Sequence, residues 1–241
     1  MAKLHIDVWS DIACPWCWVG KRHLERALAD FPHEVEIRWR SFELDPAAPK
    51  SLPDDVDLVE RLAGKYGTSR AGAQQMIDRM TNVGRDAGLD FRFGDVRPTN
   101  TFDAHRLLHW ALSQGKQGAL KERLMQAYMH EGRSVSDPAV LVELAEAVGL
   151  DPDGAQAVLS SDDHAADVRN DEALARQIGI TGVPFFAVAE RFAVPGAQPP
   201  DVLRQVLDRA LADLPETVDE PAQGEVCGPD GCAVDAAVSA E

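Results

Sequence analysis

The amino-acid sequence predicts an α/β protein whose small sheet is interrupted by a large inserted helical subdomain and followed by a flexible C-terminal tail. Three observations lead to this reading. Two alternating apolar runs, Leu4–Trp9 and Val35–Phe42, flank a stretch with helical spacing, the pattern of a strand–helix–strand unit with parallel strands. From Val56 to Gln177 nearly every segment has helical rather than strand periodicity. A β-type run then returns at Gly182–Val188.

Taken in order, Leu4, Ile6 and Val8 alternate with His5, Asp7 and Trp9, which is the period of a strand with one buried face. Pro15 stands where the first helical residue belongs, a position that tolerates a missing N–H. Val19, Leu24, Ala27, Leu28 and Phe31 form the apolar face of that helix, and Pro32 ends it. Between Asp45 and Pro53 there are prolines and no periodicity, so the chain leaves the sheet in a loop. The insertion is expected to hold helices at Val56–Tyr66, Arg70–Ala87, Thr101–Gln114, Lys116–His130, Pro138–Ala147 and Gly154–Ser160. Asp137-Pro138 is an N-cap followed by proline at the first helical position, and Gly88, Gly132 and Gly149 are the stops. Gln74–Met80, Trp110, Met125 and Met129 read as insertion core or groove lining, and Phe91–Phe93 admits a short strand.

A further helix spans Asp163–Ile178 and leads through Gly179-Ile180-Thr181-Gly182 into the Val183–Val188 run. Arg191–Val194 pairs with that run as a hairpin across Ala189-Glu190, and Pro199-Pro200 open a last helix, Asp201–Leu214. After Pro215 the residues become acidic and small with no apolar period, as in a flexible tail. The expected organisation is a sheet domain from residues 1–45 and 163–214, a helical subdomain at 46–162, and a tail at 215–241.

Composition narrows the function. The net charge of −16 argues against nucleic acid and anionic membranes as partners, because both require basic surface. No run approaches the ~18 apolar residues of a membrane helix, and Met1–Asp7 lacks the apolar core of a secretory signal. The protein is therefore expected in the cytoplasm. Four cysteines in 241 residues are too few for a disulfide scaffold. In a reducing compartment, paired cysteines are expected to be catalytic, redox-sensing or metal-binding.

The chemistry concentrates at Cys14-Pro15-Trp16-Cys17, placed between the first strand and the first helix. A sulfur at a helix start lies over unsatisfied N–H groups, where negative charge is favoured. Free cysteine titrates near ~8.5, and helix N-termini and Cys-x-x-Cys motifs in general can lower that value. Cys14 is thus the candidate nucleophile and Cys17, one turn in, the candidate resolving thiol. Half of a zinc site and a pair of inert buried thiols are the alternatives. A second pair, Cys227 and Cys232, lies in the tail with Gly228, Pro229 and Gly231 between them, residues suited to a tight turn. It stands as a second redox pair, a stable tail disulfide, idle thiols, or part of a four-cysteine zinc site. His105 and His109 have the spacing of helical metal ligands, but a third ligand is not evident, so no metal and no cofactor are expected. There is no phosphate loop, dinucleotide fingerprint or hydrolase triad context.

The order of elements resembles the thioredoxin-like fold with the helical insertion of the DsbA family, over about residues 3–213. Within it, Ser10-Asp11-x-x-Cys14-Pro15-Trp16-Cys17-x-x-Gly20, together with the tail Cys-x4-Cys, is similar to the cytoplasmic FrnE-like branch. The resemblance implies a thiol–disulfide oxidoreductase or disulfide isomerase, acting on disulfide-containing proteins or small thiols such as glutathione. It implies attack by Cys14, resolution by Cys17, and a cis-proline at Pro184, whose neighbour Val183 would pair with an extended substrate. A trans-proline on an edge strand is the alternative. Pro15 and Trp16 would contact substrate, and Cys227 and Cys232 would relay electrons to or from the first pair. Asn100-Thr101-Phe102-Asp103-Ala104-His105 resembles a cleft-lining stretch of the family, which adds Asn100 and His105 as substrate-binding residues, against an ordinary helix face. Unlike the DsbA Pro-His dipeptide, Pro15-Trp16 carries no basic residue. A glutathione-dependent isomerase or transferase of the 2-hydroxychromene-2-carboxylate isomerase type shares the fold, although such relatives usually have serine at the nucleophile position. A thiol-based redox or metal sensor is the third reading.

Overall fold

A computed structural model describes residues 3–51 and 57–213. The tail with Cys227 and Cys232 lies outside the described residues. The elements run β1 (Leu4–Ser10), α1 (Pro15–Leu28), β2 (Val35–Ser41), α2 (Leu58–Tyr66), α3 (Arg70–Asp86), α4 (Phe102–Leu112), α5 (Gln117–Met129), α6 (Pro138–Glu146), α7 (Pro152–Leu159), α8 (Ala165–Gln177), β3 (Phe185–Val188), β4 (Phe192–Pro195) and α9 (Pro200–Ala212).

The sheet order is β2-β1-β3-β4. β1 pairs with β2 in parallel, Leu4 opposite Val35 and Ser10 opposite Ser41. β3 runs antiparallel to β1, with Val8 opposite Phe186, and β4 runs antiparallel to β3. The parallel pair is possible because α1 supplies the crossover that two parallel strands need. The β3–β4 hairpin closes through Ala189 (φ 52°) and Glu190 (φ 56°), with Arg191 N–H donating to the Val188 carbonyl. Two successive positive φ values define the tight hairpin turn whose twist matches the strands.

Helix ends follow local chemistry. Asp57, Ser69, Asp137 and Asp151 each accept N–H bonds from the first turn of α2, α3, α6 and α7, as capping residues do. Phe91–Phe93 is a loop, not a strand. Arg92 N–H donates to the Met129 carbonyl, an isolated bond with no ladder around it, and Phe91 packs its ring against Trp18 and Gly84.

Two apolar clusters organise the molecule. One joins β1, β3 and β4 to α1 and α9 through Leu4, Ile6, Val8, Leu24, Phe186, Val194, Leu203 and Leu207. The other is built mostly by α4–α7, around Leu107, Leu120, Leu124, Leu141 and Leu144, and it includes Ile12, Cys14, Cys17, Trp18 and Val19. The cysteine motif is therefore packed into the core of the helical region while it begins on the sheet.

Candidate active site

Cys14 is the N-cap of α1, with extended backbone (φ −97°, ψ 109°) and Pro15 at the first helical position. Its side chain makes no capping bond; the thiol instead points to the Val183 carbonyl oxygen, 3.5 Å away. The Val183–Pro184 peptide is cis. Trp16 stands on the open side, 41% exposed, whereas Cys14 is 4% and Cys17 1% exposed. Both cysteines are free thiols. Burial, and then the hydrogen bond and charge of Cys14, push the Cys17 thiol well above the usual cysteine value.

The close approach of α1 to Pro184 depends on Gly20, two turns below the N-cap. A Cβ at this position would lie 2.9 Å from Pro184 Cγ and 3.2 Å from the Phe186 ring. The glycine of the sequence motif thus sets the distance between helix and β3, and through Pro184 the position of the Val183 carbonyl over Cys14.

Behind the cysteines lies a buried polar floor. Asp11, 1% exposed, accepts N–H bonds from Leu44 (2.8 Å) and Ala13 (3.3 Å) and faces His105 Nε2 at 3.4 Å. Burial raises the Asp11 carboxyl, but the His105 hydrogen bond and charge, the Leu44 N–H and the Lys121 charge together take it below the usual value. Burial likewise lowers the His105 imidazole, with Asp11 opposing and Lys121 reinforcing the shift. The pair at neutral pH is a carboxylate accepting from the Nε2–H of a neutral imidazole.

The other expected site residues sit differently. Asn100 and His105 are both buried, and their side chains bond to protein. Asn100 Nδ2 donates to Glu43 Oε1 and to the Pro46 carbonyl, and its Oδ1 accepts from Phe102 N–H. His109 does not join His105. Its Nε2 lies 3.0 Å from Ser41 Oγ and 3.1 Å from Asp171 Oδ2. Because serine and carboxylate meet the same ring nitrogen, these residues are no nucleophilic triad, in which the two nitrogens serve different partners. No group of three or more His, Cys, Asp or Glu side chains able to hold a metal occurs among the described residues. Lys121, on α5, is wholly buried with Nζ donating to the Ser10 carbonyl at 3.3 Å. Sequence inspection passed over it, because a lone lysine in a helical pattern reads as surface.

With this geometry in view, the chain belongs to the DSBA-like thioredoxin domain family, whose model matches residues 5–208. It is 30% identical over 208 residues to the Bacillus subtilis protein YwbO, covering 85% of this chain and 96% of that one. The crystal structure of a probable DsbA oxidoreductase from Streptomyces coelicolor superposes with a TM-score of 0.81 at 43% identity, over 97% of this chain and all of that chain. The cytosolic disulfide reductase DsbM from Pseudomonas aeruginosa shares the fold at 19% identity, with a TM-score of 0.62 over 86% of this chain and 98% of that one.

Two predictions follow from the packing around the motif. Gly20→Ala forces Pro184 away from α1; it should cost about 1–3 kcal/mol of stability, read from the denaturant midpoint. Asp11 and His105 both have folded values below their unfolded ones. Each therefore contributes stability that is present above its unfolded value and lost as pH falls through the folded one. Stability should decline below about pH 6.5 through His105 and again below about pH 4 through Asp11. Asp11→Asn should shrink the lower step in pH-dependent urea titrations, the remainder coming from Asp103, Glu122 and Asp171, whose carboxyls are also held below their usual values, at a loss of about 1–3 kcal/mol at neutral pH.

Proposed function

We propose that the protein is a thiol–disulfide oxidoreductase, with disulfide isomerase activity, acting through Cys14 and Cys17 on disulfide-containing proteins or small thiols such as glutathione. The observation that carries this reading is the Cys14 thiol at the start of α1, 3.5 Å from the carbonyl of the residue preceding a cis-proline. A nucleophile and a stretch of backbone thus share one place, so an extended substrate could bond to Val183 while its disulfide meets Cys14. Trp16, exposed between the cysteines, offers an apolar face to the substrate next to Pro15. Asn100 and His105 act from below, holding the Glu43–Pro46 loop and Asp11 that border the site.

As a thiolate, Cys14 Sγ attacks one sulfur of the substrate disulfide; that S–S bond breaks and a mixed disulfide forms. Cys17 Sγ then attacks Cys14 Sγ, forming the Cys14–Cys17 disulfide and releasing the substrate reduced. The reverse sequence oxidises a dithiol, and release before resolution permits isomerisation. Cys227 and Cys232 exchange with the first pair as a relay, in keeping with their position in a tail that follows α9. The reading of small thiols is supported by the P. aeruginosa disulfide reductase, which has also been crystallised with GSH. Its cytosolic designation supports a cytoplasmic setting for this chain. No described helix is long and apolar enough to cross a membrane. A 2-hydroxychromene-2-carboxylate isomerase shares the fold at 14% identity and a TM-score of 0.60; retention of both thiols in this site favours dithiol chemistry over that glutathione-dependent reaction.

Insulin reduction and refolding of scrambled ribonuclease test the proposal together. Wild type is expected to support at least one of them, Cys14→Ser to lose about a thousandfold or more, and Cys17→Ser to accumulate a mixed disulfide visible by mass spectrometry. Absence of both activities in wild type overturns the reading, and zinc retained after chelator-free purification would point to a sensor. Replacing Cys227 and Cys232 by serine together should slow turnover while leaving single-turnover attack by Cys14 unchanged; identical multiple-turnover kinetics would remove the relay.

A further inference from the structure

Residues 196–199 join β4 to α9 in a loop pinned at both of its sides. Pro195, Pro199 and Pro200 restrict its backbone, and Gly196 takes φ 77° at its start. Within the loop, Gln198 N–H donates to the Gly196 carbonyl (2.9 Å) and Gln198 Nε2 to the Pro195 carbonyl (2.9 Å). Two further bonds fix it from outside. Gly196 N–H donates to the Pro184 carbonyl at 2.8 Å, which ties the loop to the cis-proline. His23 Nδ1, on α1, lies 2.8 Å from the Gln198 carbonyl, across 175 residues of sequence. A carbonyl only accepts, so the imidazole carries its proton on Nδ1 in this bond. His23 stands three residues after Gly20, on the same face of α1. That face thus meets the sheet side twice, at Pro184 through Gly20 and at the loop through His23.

An open groove of about 360 Å³ runs beside the cis-proline, lined by residues 179–185 and bordered on the β4 side by Pro195 and Gly196. It includes Val183, whose carbonyl lies 3.5 Å from the Cys14 thiol. None of its lining residues is charged, although the protein carries a net charge of −16. Such a groove fits an uncharged, extended stretch of polypeptide. The stretch bonds through its backbone and rests its side chains on Val183, Phe185 and Pro195. To the carboxylates of a small acidic thiol the groove offers no cation.

We propose that His23 is a positioning residue for polypeptide substrates: it holds the β4–α9 loop so that Pro195 and Gly196 border the groove beside Cys14. The inference rests on the dithiol reading above and names its substrate class, a disulfide set in an uncharged stretch of polypeptide. His23 acts through the loop and takes no part in thiol exchange. Without its bond the loop keeps its tie to Pro184 but loses its hold on α1. The border of the groove is then free to shift, and a bound chain is held less tightly at an unchanged nucleophile.

His23→Leu keeps much of the bulk of the ring without its donor, and His23→Asn keeps an N–H donor where Nδ1 stood. Both are assayed on a cystine peptide with uncharged flanks and on a small aryl disulfide, which has no backbone to lay in the groove. His23→Leu should raise KM for the peptide about fivefold to tenfold with kcat unchanged, the scale of one hydrogen bond. Its kcat/KM for the aryl disulfide should stay within about twofold of wild type, and His23→Asn should recover most of the peptide KM. In wild type, a peptide with charged flanks should show a higher KM than the uncharged one, a comparison that needs no variant to fold. The inference is overturned if His23→Leu leaves the peptide KM within about twofold of wild type. It is overturned equally if both substrates weaken alike, if His23→Asn behaves as His23→Leu, or if wild type prefers charged flanks. A wild type inert toward both disulfides overturns the oxidoreductase reading itself.

Discussion

The site depends on one buried carboxylate. Asp11 holds the turn before Cys14 through Ala13, the strand exit through Leu44, and α4 through His105. Sheet, insertion and cysteine motif meet at this side chain. A carboxylate so deeply buried is tolerable only when its oxygens are bonded and cations lie near it. The N–H groups of Leu44 and Ala13, the Nε2–H of His105 and the charge of Lys121 together meet that condition. The constraint works in both directions, because Asp11 also orients those groups.

The helical region does more than decorate the sheet. Cys14, Cys17 and Trp18 belong to the same apolar cluster as Leu107, Leu120 and Leu124, and Trp18 Nε1 donates to Glu122 on α5 at 2.9 Å. The sheet side contributes the cis Val183–Pro184 peptide, and Gly20 allows the two sides to close on each other. Reactivity at Cys14 is thus framed from above by a backbone carbonyl and from behind by polar groups carried on insertion helices.

Much of the fold was legible because it follows from short-range rules. Alternation defined β1 and β2, proline at N1 and aspartate caps defined helix starts, and Ala189-Glu190 between two β-type runs marked the hairpin. Phe91–Phe93 misled for a physical reason. Aromatic residues at alternate positions suit a strand, but here they pack on Trp18 and on one another, 5.7 Å and 5.2 Å between ring centroids, with no neighbouring strand to pair with. The cleft-lining stretch around Asn100 and His105 lies near the site, yet both side chains turn inward to bond Glu43 and Asp11.

By itself the sequence determined the placement of the Cys14–Cys17 motif, since a Cys-x-x-Cys with proline at the first helical position needs only local backbone geometry to put a sulfur at a helix start. It also marked Pro184 as the residue before a strand. Tertiary structure alone decided which groups gather near that sulfur: the Val183 carbonyl 169 residues away in sequence, His105 94 residues from the Asp11 it faces, and Lys121 111 residues beyond the Ser10 carbonyl it meets. Burial and long-range contact set the charge states of Asp11, His105 and Lys121, and neither quantity is a property of neighbouring residues along the chain. The lysine that reads as a surface residue in one dimension is, in three, wholly buried, with its Nζ on the Ser10 carbonyl at the end of β1.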